Sequence, residues 1–317
     1  MLPLFKELPF RKGDPLHSAW GLYGPNDQLG TLNLLTEDVV AKAAKLIKTG
    51  KRIPLNWEVT SPAHPFFQRR KTDHKVFQLA PRTINDDEIH MNTQASTQID
   101  GLRHYAYQNE KLFYNGVTEE QILEKGSTVL GVHHMSQAGI VGRGVLIDYL
   151  RWADENGKKF NPTSQYHITL SELLDAAKSQ GVEKFEKGDI LIIRSGYIKA
   201  ILDMSDETLQ KYASHSEGPC AIGVEQSDDM LAFLWDNHFS MVAGDAIAFE
   251  CRPPVEGRTR LHEYLLAGWG MPIGELWYLE NLSEYCAKHK RYTFFLTSSP
   301  VNAIGGVGTP ANAIAVF

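Results

Sequence analysis

Short apolar runs alternate with amphipathic segments along most of the chain. Uninterrupted apolar runs predict buried strands at 144–148, 189–193, 241–249, 292–296 and 313–317. Helical spacing of apolar residues behind a capping residue predicts helices over 36–49 and 169–181, with weaker patterns over 205–213, 226–237, 259–267 and 281–289. This irregular alternation predicts an α/β fold with a mixed sheet and flanking helices, rather than a helical bundle or a β-sandwich.

One polar segment, 90–100, departs from this pattern. Its even positions carry His90, Asn92, Gln94, Ser96, Gln98 and Asp100. Alternate side chains of a strand share a face, so a strand here would present all of these groups together. Gly101 would permit a turn that brings His104 back beside Asp100. An edge strand with a solvated face is the ordinary interpretation, whereas short carbonyl and carboxylate groups favour metal or substrate contacts.

A second candidate cluster lies between residues 261 and 275. If 261–267 is helical, His262 shares a face with Leu265 and Leu266 and points inward. An inward histidine is more often a core residue than a ligand. Glu275 follows a stretch rich in glycine and proline, which could aim its carboxylate into a site. Neither residue alone indicates a metal.

Composition narrows the class of protein. The 317 residues carry a formal net charge of −6, which argues against a general nucleic-acid binder. The three cysteines are far apart and form no disulfide framework or metal knuckle. The amino terminus has no apolar signal region, and no apolar run approaches the length of a membrane span. We therefore expect a cytoplasmic protein that binds neither nucleic acid nor membranes.

Short sequence motifs narrow the class of protein further. No G-x-S-x-G elbow occurs, which argues against an α/β-hydrolase. The segment 94–104 can be aligned with the metal motif HxGTHxDxPxH, and it reads Gln94-Ala-Ser-Thr-Gln98-Ile-Asp100-Gly-Leu-Arg-His104. Together with the blocks 20–33, 139–148, 188–196 and 305–317, it resembles the kynurenine formamidase-like putative cyclase family, over nearly the whole chain.

This resemblance implies a swivelling β/β/α fold, homo-oligomerisation, and hydrolysis of small amides, cyclic amides or lactones at one or two divalent metals. The first two metal histidines of the family correspond to Gln94 and Gln98, its metal aspartate to Asp100 and its catalytic histidine to His104. The later ligand pair corresponds to His262 and Glu275.

Glutamine offers a weak carbonyl oxygen in place of an imidazole nitrogen, which disfavours zinc and favours harder ions such as manganese. We therefore expect a single ion, Mn²⁺ or Zn²⁺, held by Asp100, His262, Glu275 and Gln98. His104 would then act as general acid and base.

The predicted function is cleavage of a C–N bond in a small amide, lactam or imide. The alternatives are lactone hydrolysis at the same site, a metal-poor binding protein that has lost catalysis, and a metal-free lyase or isomerase with His104 as base. Substrate contacts are expected from Gln94, Trp20, Phe66 and Phe67, although ordinary packing explains the aromatic residues equally well. Residues 1–317 are expected to form one domain, on which 1–35 pack as an extension.

Overall fold

The apolar runs form the middle of a large mixed sheet in a computed structural model, which describes residues 2–255 and 260–317. Within these ranges the strands are β1 (Arg52–Pro54), β2 (Asp73–Gln78), β3 (Asn85–His90), β4 (Gln98–Asp100), β5 (Ile140–Asp148), β6 (His167–Ile168), β7 (Ile190–Arg194), β8 (Gly223–Val224), β9 (Met241–Gly244), β10 (Ile273–Glu275), β11 (Thr293–Ser298), β12 (Gly308–Pro310) and β13 (Ala313–Val316). Nine of these described strands form one sheet, in the order β1-β13-β11-β5-β7-β9-β10-β4-β12. Two pairs, β2 with β3 and β6 with β8, stand apart from it.

Parallel strands occupy the centre of the sheet. β5, β7, β9 and β10 pair in parallel, and antiparallel strands flank them on both sides. Every residue of β7 is buried. A central parallel strand is covered on both faces, which explains its uninterrupted apolar sequence. The predicted fold class is therefore confirmed.

Helices flank the sheet. In the described part of the chain they are α1 (Glu37–Ala44), α2 (Glu119–Leu123), α3 (Val132–Ala138), α4 (Tyr149–Glu155), α5 (Leu170–Ser179), α6 (Tyr197–Leu202), α7 (Asp206–Ala213), α8 (Asp228–Asp236) and α9 (Glu280–His289). The capping box predicted at the start of α5 is present, with the side chain of Thr169 accepting a hydrogen bond from the backbone N of Glu172. None of the described helices has the length and apolarity to cross a membrane.

Two helix predictions differ from the structure, one in where the helix ends and one in the type of helix. The helix predicted over 36–49 ends at Ala44, because the next backbone N–H groups bond three residues back rather than four. Of the helix predicted over 259–267, position 259 lies outside the described residues. The segment Glu263–Gly268 is a π-helix, a form that is often found at functional sites.

The polar strand predicted over 90–100 is interrupted. β3 ends at His90, and β4 begins only at Gln98. Between them the side chain of Asn92 accepts a hydrogen bond from the backbone N of Gln94 at 2.8 Å, which closes a turn. A continuous face from His90 to Asp100 was therefore a wrong prediction, because the local hydrogen bond of Asn92 replaces strand pairing.

The strand predicted over 241–249 ends early, at Gly244. The carboxylate of the next residue, Asp245, is buried and accepts hydrogen bonds from the backbone N and Oγ of Ser195 and the backbone N of Gly196, at 2.7–2.8 Å. A buried carboxylate requires such donors. The chain consequently leaves the sheet at the carboxyl end of β9, and residues 247, 248 and 250 form one wall of a cavity.

Residues 2–35 lie against the π-helical segment. The indole of Trp20 donates to the backbone O of Ala267 at 2.6 Å, and the N of Ala19 donates to the O of Gly268 at 2.9 Å. Gly30, with φ +55°, approaches Gly270 so closely that an added Cβ would lie 2.1 Å from its carbonyl oxygen. The segment is thus fixed by specific contacts, while the division of the chain into one domain and an extension stays a prediction.

Candidate metal centre

Three ligand-type side chains converge at the edge where β4 meets β10. In this antiparallel pair Gln98 lies opposite Glu275, and Asp100 lies opposite Ile273, so Gln98, Asp100 and Glu275 share a face. His262 reaches the same point from just before the π-helix. Its Nε2 lies 3.1 Å from Oε1 of Glu275 and 3.7 Å from Oδ2 of Asp100. The ligand atoms of Asp100, His262 and Glu275 all lie within 4.8 Å of one another.

The residues present fit a divalent metal ion. Asp100 is fully buried, and its Oδ2 has no hydrogen-bond partner among the described residues. A buried carboxylate oxygen without a donor is costly, and a cation shared with His262 and Glu275 would remove that cost. Two carboxylates and one imidazole form a donor set that suits zinc and also manganese.

Glu250 orients His262. Its Oε2 accepts a hydrogen bond from Nδ1 of His262 at 2.6 Å, and its side chain is buried. This leaves Nε2 pointing at Asp100 and Glu275, an arrangement of carboxylate, histidine and metal that is common in metalloenzymes. Glu250 was not predicted from the sequence, where its one signal is an acidic residue directly after the apolar run 241–249.

The charged groups of the cluster shift one another's pKa values. Burial and the nearby Asp100 raise the pKa of Glu275. Burial alone would also raise the pKa of Asp100, but His104 and His262 hold it below its usual value. Burial opposes the charged form of His262, yet Glu250, Asp100 and Glu275 raise its pKa well above the usual value. The site therefore concentrates negative charge that a cation would neutralise.

The two glutamines of the motif form an amide pair beside this cluster. Nε2 of Gln98 donates to Oε1 of Gln94 at 2.6 Å and to Oε2 of Glu275 at 2.9 Å, and it lies 3.4 Å from Oδ1 of Asp100. Oε1 of Gln98 and Nε2 of Gln94 are buried without a partner among the described residues. Because the nitrogen of Gln98 faces the carboxylates, ligation through its oxygen requires rotation of the amide and stays a prediction.

His104 faces a cavity of about 320 Å³ together with His262 and Glu275. The turn at Gly101 accepts a hydrogen bond from the backbone N of His104, and Nε2 of His104 lies 3.8 Å from Oδ2 of Asp100. Burial lowers the pKa of His104 although Asp100 opposes the shift. A neutral, half-buried imidazole at this position can accept a proton from a group in the cavity.

Of the residues expected to contact substrate, Phe67 alone lines this cavity. Trp20 is buried and packs edge-on against Tyr107, and Phe66 is buried and packs edge-on against Tyr197. Neither lines this cavity, and substrate contacts from these two residues stay a prediction. Phe67 has a left-handed φ of +59°. At this point the side chain of Phe66 packs in the core, whereas that of Phe67 lines the cavity. Gln94 is buried behind Gln98 and does not line the cavity.

Comparison with known proteins assigns the chain to a family. Residues 35–251 match the family described as "putative cyclase", and the chain belongs to that family. It is similar to the crystal structure of a novel cyclase at 32% identity and a TM-score of 0.83, covering 95% of this chain and 99% of the other. Among curated protein sequences no match was found.

Two more distant structures share the fold. Isatin hydrolase A from Labrenzia aggregata, bound to benzyl benzoate, has a TM-score of 0.58 at 14% identity, with 90% of this chain and 98% of the other covered. A predicted metal-dependent hydrolase from Bacillus stearothermophilus has a TM-score of 0.50 at 16% identity, with 84% and 98% covered.

Proposed function

We propose that the chain is a metal-dependent hydrolase that cleaves a C–N bond in a small amide, lactam or imide, of the arylformamidase or cyclic-amide hydrolase type. The observation that carries the proposal is the buried Oδ2 of Asp100, which lacks a hydrogen-bond donor and faces His262 and His104. The names of the two distant structures support it, since one is named a predicted metal-dependent hydrolase and the other an isatin hydrolase, and isatin is a lactam.

The proposed site has three metal ligands and one residue that transfers protons. Asp100, His262 and Glu275 would hold one Mn²⁺ or Zn²⁺ ion, with Gln98 as a fourth ligand if its amide rotates. Such an ion supplies Lewis acidity and an acidified water. His104 accepts a proton from the attacking water and delivers it to the leaving nitrogen. Asp100, 3.8 Å from His104, stabilises the imidazolium in between.

The same residues would also hydrolyse a lactone, where the leaving group is an oxygen. A ligand-binding protein without catalysis is the second candidate, and the amide pair favours it. Nε2 of Gln98 already donates to a carboxylate that a metal would otherwise engage. In a metal-free lyase or isomerase, His104 would act as the base by itself.

One experiment separates these functions. Protein purified without chelator is analysed for metal, then assayed with added Mn²⁺ or Zn²⁺ on N-formyl anilines, cyclic imides and lactones. Asp100→Ala is compared with Asp154→Ala, which removes an exposed carboxylate of α4 that does not line the cavity. We expect one ion per chain and hydrolysis in the wild type and in Asp154→Ala, and loss of both in Asp100→Ala.

Each other outcome contradicts the proposal. Turnover without metal would indicate metal-free chemistry, and neither ion nor turnover would indicate a binding protein. Unchanged metal content and rate in Asp100→Ala would show that the site is elsewhere.

We also propose that the enzyme is cytoplasmic and forms a homo-oligomer through the β2–β3 hairpin. Val76 and Ile89 are 65% and 49% exposed and lie on the same face of the hairpin. An isolated two-stranded hairpin is marginally stable in water, so a second chain packed on this face would stabilise it. Val76→Asp together with Ile89→Asp should lower the mass measured by light scattering, and an unchanged mass would contradict this interface.

A further inference from the structure

Guanidinium groups surround the ring of Phe67 at the wall of the cavity. The guanidinium carbons of Arg69 and Arg252 each lie 4.7 Å from the centroid of this ring, so they are at most twice that distance apart. Arg260 lines the same cavity, and its Nη1 donates to the hydroxyl of Tyr105 at 2.9 Å. Like charges repel one another, and an anion bound near both guanidinium groups would offset this repulsion.

These guanidinium groups have no carboxylate partner among the described residues. Arg69 donates from Nη1 to the backbone O of Gln94 at 2.6 Å, and Arg252 donates from Nη2 to the backbone O of Glu217 at 2.7 Å. Nε of Arg252 is buried and has no partner within the described residues. Arg252 also lines the cavity, and a cavity-lining guanidinium that pairs with no described carboxylate can bind the carboxylate of a ligand.

The charge of the whole site points the same way. An ion held by Asp100, His262 and Glu275 would offset the negative charge of this cluster. The three guanidinium groups that line the cavity would then lack a counter-charge of their own. The backbone at Phe67, with φ +59°, is in a region that bulky side chains rarely adopt, and it holds the ring beside Arg69 and Arg252. An aromatic ring flanked by guanidinium groups can stack with a planar ligand that is itself negatively charged.

We propose that the substrate carries a carboxylate in addition to the bond that is cleaved, and that Arg252, assisted by Arg69, binds this carboxylate while Phe67 packs against the adjoining planar part. The proposal rests on the proposed hydrolase function and narrows its substrates to anionic amides, lactams or imides. Specificity for the carboxylate is assigned to Arg252, because Arg69 is also engaged in a hydrogen bond to the backbone O of Gln94 in the amide pair.

The test compares matched substrates. Initial rates with metal-loaded protein are measured for N-formylanthranilate against formanilide, and for 4-carboxyphthalimide against phthalimide. The variants are Arg252→Met, Arg252→Lys and the control Arg70→Met, which removes an exposed arginine that does not line the cavity. Binding of benzoate and of benzamide is measured separately by calorimetry, without turnover.

We expect the wild type and Arg70→Met to prefer the carboxylate-bearing substrate. Arg252→Met should lower kcat/KM for that substrate about 10- to 100-fold, mainly through KM, and leave the neutral one unchanged. Arg252→Lys should retain part of the preference. An effect on folding alone would reduce both rates together and leave their ratio unchanged.

The possible results distinguish failure of the proposed carboxylate site from failure of the proposed hydrolase function. Equal rates for both members of a pair in the wild type, or an equal loss on both in Arg252→Met, overturn the carboxylate site while hydrolysis stands. If neither substrate is hydrolysed but benzoate binds more tightly than benzamide, and does so only with Arg252 present, the hydrolase function fails and the anion site stands. Benzoate binding that Arg252→Met leaves intact overturns the anion site even if Arg252→Lys does not fold.

Discussion

Glu250→Gln tests whether a carboxylate that does not touch the metal controls its affinity. The substitution keeps the size of a buried side chain and removes the charge that faces Nδ1 of His262 at 2.6 Å. A hydrogen bond to a charged group contributes about 1.5–3 kcal/mol, and a neutral one about 0.5–1.5 kcal/mol. The difference of about 1–2 kcal/mol weakens the hold on His262 and corresponds to a loss of about 5- to 30-fold in metal affinity.

The assay is calorimetric titration of Mn²⁺ and Zn²⁺ into chelator-stripped protein. Glu155→Gln, an exposed acid of α4, is the matched control and should bind like the wild type. Asp100→Ala should bind no ion at the site. Equal affinity in Glu250→Gln and the wild type would refute the orienting role. A loss beyond about 1,000-fold would also refute it, because Glu250 would then be a ligand.

Three further variants test the packing that holds the site, each by urea denaturation. Arg194→Met should lower the free energy of unfolding by about 3 kcal/mol, because the fully buried Asp148 loses an ion-pair partner at 2.8 Å. An unchanged free energy of unfolding would mean that the other hydrogen-bond donors of Asp148 suffice. Gly144→Ala should cost about 1–3 kcal/mol, since the new Cβ would lie 2.3 Å from the ring of Phe294, and a neutral effect would show that the ring can move. Arg103→Met should cost about 3 kcal/mol by releasing three backbone carbonyls that lie within 3.1 Å, and a wild-type midpoint would contradict this anchoring role.

The centre of the sheet could be predicted because its sequence has little freedom. β7 and β5 are covered on both faces, so burial alone requires unbroken apolar runs. The ends of elements follow weaker forces. α1 ends where the hydrogen bonds tighten, and β9 ends where Asp245 finds donors on Ser195, and neither event leaves a local pattern.

The site was harder to predict than the sheet. Asp100, His262 and Glu275 came from a family resemblance, and the period-two face that first drew attention to Asp100 does not exist as a continuous strand. Asp100 and Glu275 are far apart in sequence and become neighbours only through the pairing of β4 with β10. Glu250 and Arg252 could not be predicted, because an acid or a base at the end of an apolar run shows its role only when its partner is known.

The amide pair explains why one ion is the proposed number. A second ion needs further donors beside Asp100 and Glu275, and at that position the chain offers Gln94 and Gln98, whose contact with each other uses one oxygen and one nitrogen. Freeing both oxygens for metal would break this hydrogen bond and would turn the nitrogen of Gln98 away from Glu275. For a single ion, rotation of Gln98 is optional, because His262 and the two carboxylates already supply three ligands. In the proposed single-ion site, the glutamines would therefore restrain the carboxylates rather than bind a second cation.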